Sequence, residues 1–317
     1  MKRLSEILLA VCLLLCGCNA QPEPERDLSK LQIVCTSFPA YDFARQIAGD
    51  RAELTLLIKP GAEVHSYEPT PKDMIRIQQS DLFICNGGES ETWVESLVTS
   101  ELNIIYMMNC VDAVQESSDG IYAADHDHEH DHEHDHEHEE EVELDEHVWT
   151  SPLNAIKICE AICNELCKLD NENAEEYKTN FTAYKAQLLS LDREFRQVVR
   201  DSGKNTLVFA DRFPMRYFAL EYGLDCYAAF PGCSSETEPS AKTVAYLIDR
   251  VREDDIPAVL YMEFSNQKMA DVICEDTGCR KLPFYSAHSV SAQQFEEGVT
   301  YLDLMRIDLN SLKEALG

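Results

Sequence analysis

The sequence predicts an α/β chain: two lobes with mainly parallel sheets, joined by one long rigid helix. Three observations carry this. At 317 residues the chain is long for one domain and comfortable for two. Short apolar runs alternate with helix-like pieces in both halves, the pattern of a parallel sheet. Between the halves, Asn171 to Ser202 contains no Gly or Pro and is rich in helix formers. The expected divisions are a leader over 1–18, a tether over 19–30, a first lobe over 31–170 with an acid- and His-rich loop at 125–141, a linking helix over 171–202, and a second lobe over 203–317.

The chain starts with Lys2 and Arg3, followed by an apolar run from Ile7 to Leu15. That run is far below the roughly 20 residues needed to span a bilayer, so it reads as an export signal. It ends in "LLCGC", which resembles the lipobox of bacterial lipoproteins, with Cys18 as the acylated residue. Cys16 stands where that pattern more often has a small residue. The polar, Pro-containing "NAQPEPERD" after Cys18 suits a tether.

In the first lobe "LQIVCTS", "ELTLLI", "DLFICNG" and "LNIIYMMNC" read as strands, while "YDFARQIAG" and "PKDMIRIQQS" read as helices. Cys159, Cys163 and Cys167 recur every four residues and so share one helix face, which reads as core packing by small apolar side chains, with metal binding as the alternative. Along the linking segment Tyr177, Phe181, Tyr184, Leu188, Leu191 and Phe195 recur at three and four. This fits one helix of about eight turns. In the second lobe "NTLVFAD" and "PAVLYMEFS" read as strands. "MRYFALEYGL", "AYLIDRVRED", "QKMADVICEDTG" and the C-terminal "GVTYLDLMRIDLNSLKEAL" read as helices.

Net charge is −31 at pH 7, which argues against nucleic acid as a partner. Thirteen of the acids lie between Asp125 and Glu146, which contains no Lys or Arg. Thirteen cysteines are present, three of them in the leader, and Cys274 and Cys279 are close enough in sequence to pair.

Histidine carries the functional signal. Seven of the ten stand at alternate positions, His126, His128, His130, His132, His134, His136 and His138, with an acid in every gap. Such a segment cannot build a core. Its imidazoles and carboxylates offer multiple weak, exchangeable metal sites without the fixed geometry of a selective one. Binding there should weaken below pH ~6 as histidines protonate. The other three, His65, His147 and His288, each stand alone in a loop setting. Imidazole is the commonest neutral metal ligand near pH 7, and three such nitrogens suit zinc.

"PGAEVHSYEPTPKD" and "DEHVWTSPLNA" together resemble the paired signatures of the metal-specific solute-binding lipoproteins of bacterial ABC importers, the cluster A-I family. The similarity continues through "FPGCSSETEPSAK", "VLYMEFS" and "YLDLMRIDLNSLKEAL". The resemblance implies two α/β lobes bridged by one rigid helix, with metal in the cleft between them. Its zinc branch carries a His- and acid-rich loop just before the second ligand motif, as here. His65 matches the first family ligand and His147 the second. At the third, in "VFADRFPMRYFALEYGL", the sequence departs from the family: neither His nor Glu occupies the spot, and Asp211 is the nearest donor, with Arg212 beside it. Near the fourth, the sequence offers His288.

The resemblance implies an exported receptor, lipid-anchored at the outer face of the cytoplasmic membrane or periplasmic. It would carry Zn(II), with Mn(II) as the alternative, to a membrane permease with its cytoplasmic ATPase, and act as a monomer. A zinc hydrolase is the competing class; the sequence shows no HExxH and no nucleophile elbow. Cell adhesion is a third idea, for which no sequence feature argues directly.

Overall fold

The computed structural model describes residues 27, 29–62, 66–99, 101–116, 144–230, 232 and 239–317. The leader with Cys18, His65 and the seven repeat histidines lie outside the described residues. Two four-stranded sheets form, and every strand pairing within them is parallel. The first contains β1 (Leu31–Cys35), β2 (Ala52–Leu56), β3 (Leu82–Cys85) and β4 (Ile104–Tyr106), in the order β2-β1-β3-β4. The second contains β5 (Thr206–Phe209), β6 (Asp225–Ala228), β7 (Ala258–Met262) and β8 (Arg280–Phe284), in the order β6-β5-β7-β8. The two lobes thus repeat one strand order.

Helices follow the strands. In the first lobe these are α1 (Phe38–Ala48), α2 (Pro71–Gln78) and α3 (Pro152–Leu169). The linking helix α4 (Ala174–Ser202) follows, and then α5 (Arg216–Tyr222), α6 (Ala241–Glu253), α7 (Lys268–Thr277), α8 (Ala292–Glu296) and α9 (Tyr301–Leu316). Local chemistry sets their ends. Thr70 and Asp73 form a reciprocal capping box at α2, and Thr300 and Asp303 form another at α9. Gly203 closes α4 in the left-handed region, at φ 62°. Among the described residues no helix is long and apolar enough to cross a membrane.

The linking helix starts three residues later than its sequence suggests, because Asn171–Asn173 forms a 3-10 turn. Its buried stripe is Tyr177, Tyr184, Leu188, Leu191 and Phe195, which packs against α1, α3 and α9. Phe181 is half-buried. Cys159 and Cys163 lie in the same core, as their spacing on α3 suggests, while Cys167 is half-buried at its edge. This core is continuous across the lobes. It contains Ile33, Phe43 and Ile84 from the first, and Leu207, Phe209 and Phe284 from the second.

One buried carboxylate ties the lobes. Asp42 of α1 is fully buried and accepts the backbone N–H of Tyr301, the first residue of α9, at 2.8 Å. It also accepts Arg45 Nε at 3.0 Å and Gln46 Nε2 at 3.1 Å. Arg45 spans onward to the Val299 carbonyl at 2.8 Å. A negative group at a helix N-terminus meets otherwise orphan N–H donors and the positive end of the dipole. Burial raises the Asp42 pKa, although Arg45 and the Tyr301 N–H pull against it.

Two outcomes follow from the buried acids. Asp42→Ala leaves Arg45 and the Tyr301 N–H without their acceptor and should lower stability in urea by about 3 kcal/mol. Tyr301→Phe, which loses only the bond from its hydroxyl to the Trp149 carbonyl, should cost about 1 kcal/mol. Equal urea midpoints for Asp42→Ala and the parent would contradict the latch. Glu91 gives a pH signature: burial pushes its pKa from 4.5 to about 7, against the hydrogen bond from the Gly87 N–H. Between those values the folded state holds the proton that the unfolded chain has lost, so stability falls as pH rises through this window. Glu91→Gln should remove up to about 3 kcal/mol of that fall, read as the change in urea midpoint between about pH 5 and 8.

Candidate metal centre

The carboxyl ends of parallel strands are where such sheets present ligand-binding loops. His147 stands just before the short 3-10 turn Val148–Thr150, which leads through the Ser151 cap into α3. Its backbone is pinned on the first lobe by the residue before it. The Glu146 carbonyl accepts Asn86 Nδ2 at 2.9 Å, and its carboxylate accepts the Ser90 N–H at 2.9 Å and the Ser90 hydroxyl. Gly88, at φ 89°, permits this approach: a Cβ there would meet Glu146 Oε1 at 2.5 Å.

Asp145 orients the ring. Its Oδ1 accepts the His147 backbone N–H at 2.8 Å and lies 3.2 Å from His147 Nδ1. Burial alone would raise the Asp145 pKa, but the hydrogen bonds and charge of His147 outweigh it and hold the carboxyl below its ordinary value. A carboxylate on one ring nitrogen is the usual support for a metal-binding imidazole, because it sets the tautomer and raises basicity.

His288 comes from the loop after β8. Its N–H donates to Ser286 Oγ at 3.2 Å. Ser286 in turn donates its N–H, at 2.9 Å, and its hydroxyl to Glu263, the residue after β7. Burial raises the Glu263 pKa, with the Ser286 bonds opposing. Trp149 joins the two halves, donating Nε1 to the Ser286 carbonyl at 2.7 Å. Its ring is 5.6 Å from that of His147 and 4.7 Å from that of His288. The two imidazoles lie edge-on to each other, with ring centroids 5.5 Å apart and planes at 88°. Both are buried, with 4% and 8% exposure.

The structure therefore brings together two of the sequence-nominated donors, from opposite lobes. His65 lies outside the described residues, but Gly61, at the start of its loop, donates its N–H to Ser289 Oγ at 3.4 Å. Asp211 follows β5 and is engaged otherwise. Its carboxylate accepts the N–H of Arg212 at 2.9 Å and of Met262 at 3.3 Å, with Arg212 Nε at 3.9 Å. Among the described residues no group of three His, Cys, Asp or Glu side chains is placed to hold a metal, so Asp211 does not join His147 and His288 in such a group.

Sequence reasoning missed the supporting residues. Asp145 had a local signal, two residues before His147 in "DEH". Glu263 and Trp149 act through contacts 23 and 137 residues away in the chain, which no local spacing reveals.

The family model described as zinc-uptake complex component A, periplasmic (ZnuA), matches residues 33–315. The chain is 34% identical over 315 residues to the high-affinity zinc uptake system protein ZnuA of Bacillus subtilis, covering 97% of this chain and 96% of that one. It is 31% identical to the zinc-binding lipoprotein AdcA of Streptococcus pneumoniae over 99% of this chain, and spans 61% of that relative's length. The crystal structure of the Zn(II)-bound ZnuA-like domain of that AdcA superposes with a TM-score of 0.73 at 28% identity, covering 90% of this chain and 99% of the domain. With nearly its whole described length matched, the chain belongs to the ZnuA family, the periplasmic A component of zinc-uptake complexes.

Proposed function

We propose that this chain is an exported receptor that captures Zn(II) between its lobes and delivers it to an ABC-type membrane permease, and that it is not an enzyme. The observation that carries the reading is the edge-on pair His147 and His288, each held by a buried carboxylate system: Asp145 on one, and Ser286 with Glu263 on the other. The proposed ligand set is His65, His147 and His288, with water or a further donor completing four-coordination. Because Asp145 faces Nδ1 of His147, Nε2 is that ring's metal-binding atom. A set of imidazoles favours zinc, whereas manganese would need more carboxylate. Asp211 is the nominated carboxylate, and its two oxygens each accept one backbone N–H.

The same reading gives the His- and acid-rich segment an accessory role: it gathers metal and passes it to the cleft. Its flanks support this. Gln115 and Leu144 form an antiparallel bridge, and the Asp145 N–H donates to the Val114 carbonyl at 2.9 Å. The Tyr217 hydroxyl accepts the Val114 N–H at 3.1 Å and donates to the Asp145 carbonyl at 2.9 Å. The segment thus leaves and rejoins the fold beside the Asp145–His147 pair. Cys18 is the proposed lipid anchor.

Competition titration with Zn(II) and Mn(II), on mature protein lacking residues 125–141, tests the reading. One tight zinc equivalent should remain and should collapse in His147→Ala and His288→Ala, while Asp211→Ala changes little. Loss of tight binding with the deletion alone would move the receptor site to the repeat. Asp145→Asn should weaken zinc binding by roughly 10–100-fold while the urea midpoint shifts little, as expected for a group that orients a metal ligand. Unchanged affinity in that variant would remove Asp145 from the site.

A further inference from the structure

Two sulfurs outside the cleft lie against each other. Cys274, in the last turns of α7, and Cys279, just before β8, have their Sγ atoms 3.2 Å apart. The backbone between them is already turned back. Gly278 adopts φ 77° and donates its N–H to the Cys274 carbonyl at 2.9 Å. Thr277 Oγ1 donates to the Ile273 carbonyl at 2.7 Å and accepts the Cys279 N–H at 3.3 Å. The next residue, Arg280, is fixed to the Pro257 carbonyl at 3.0 Å as β8 begins. Both thiols are half-buried, whereas Cys35, Cys85, Cys159 and Cys226 are buried. The closed helix cap thus holds the two sulfurs within about 1.2 Å of the bonded distance of about 2.05 Å.

We propose that Cys274 and Cys279 are a modification site, which closes as an intramolecular disulfide when the chain meets an oxidising disulfide outside the cell. The oxidant is a small disulfide or the disulfide of a thiol–disulfide oxidoreductase. One cysteine thiolate attacks it, forming a mixed disulfide and releasing one thiol. The second cysteine then attacks the mixed disulfide, forms the Cys274–Cys279 bond and releases the other thiol. Two protein thiols are oxidised, one donor disulfide is reduced to two thiols, and the two protons leave with those thiols. Burial pushes the Cys274 thiol up to about 12, which makes it a slow first attacker.

The bridge would staple one end of the unit β7–α7–β8. The other end of that unit supplies Glu263 after β7 and, beyond β8, Ser286 and His288. The bond therefore constrains the elements that carry one side of the cleft without touching the imidazoles.

Digestion with trypsin tests this directly, because Met269 to Arg280 is one fragment that contains both cysteines. The full chain is purified with reductant, exposed to oxidised glutathione, quenched with an alkylating reagent and analysed by mass. The expected fragment carries no alkyl group and no glutathione, is lighter by two hydrogens than its reduced form, and reverts with reductant. A fragment alkylated at both cysteines, or carrying glutathione on each, overturns the proposal. In Cys279→Ser, the Cys274 thiol should disappear at least tenfold more slowly. The same rate in variant and parent would mean that the sulfurs react independently, and would also overturn it.

Discussion

The buried carboxylate of Asp42 is the constraint on which the arrangement of the lobes rests. It receives the N–H of Tyr301 and so fixes the start of α9 against α1. From Tyr301 a chain of bonds runs to the cleft. The Tyr301 hydroxyl donates to the Trp149 carbonyl at 2.7 Å, and Trp149 Nε1 donates to the Ser286 carbonyl at 2.7 Å. Ser286 holds both Glu263 and the His288 backbone. Trp149 and Tyr301 are fully buried, so each broken link would leave an unpaired polar group away from water. Two side chains with large apolar bodies and one polar tip each therefore do two jobs: they fill the interlobe core and set the height of the His288 loop.

Acid handling explains how a chain of net charge −31 can place carboxylates in its interior. Four interior acids are met by backbone donors, whereas Asp192 takes Arg196 and the Tyr222 hydroxyl. Asp42 takes the Tyr301 N–H, Asp145 the His147 N–H, Glu263 the Ser286 N–H and Asp308 the Tyr285 N–H at 2.8 Å. The outcomes differ. Burial dominates for Asp42, Glu263 and Asp308, whose pKa values rise. For Asp145 the His147 interactions win and the carboxyl is held low. The acid held low is thus the one beside the ring, where it can support a cation, while the other three tie backbone donors deeper in the fold.

Much of this was legible in the sequence, for identifiable reasons. The long helix showed itself because thirty-two residues without Gly or Pro kept one apolar stripe. The cysteines of α3 read correctly as core because a four-residue period has only one face to occupy. His147 and His288 stood out as isolated histidines in loops. Two strands did not show. β8 contains Pro283, which argues against a strand in isolation but is tolerated at the sheet edge that β8 occupies. β6 is a four-residue edge strand with too little alternation to register. The tie between the Asp211 carboxylate and the Met262 N–H could not be read, because the two residues lie fifty-one positions apart.

The bonds that span the lobes are unequal, and this has a mechanical consequence. Those near α9 and Trp149 are short and deeply buried, at 2.7–2.8 Å. The one between Gly61 and Ser289 is 3.4 Å long and only part-buried. A good buried hydrogen bond contributes about 1 kcal/mol net, and a long one well under that. Relative movement of the lobes would therefore start where the loop that leads to His65 meets the loop that carries His288, and would meet rising resistance toward Asp42. His147 lies on the resistant side, clamped through Glu146 to the first lobe and through Asp145 and Tyr217 to the second. The contact between Gly61 and Ser289 is thus the cheap one to break, and the segment that carries His147 is the fixed point.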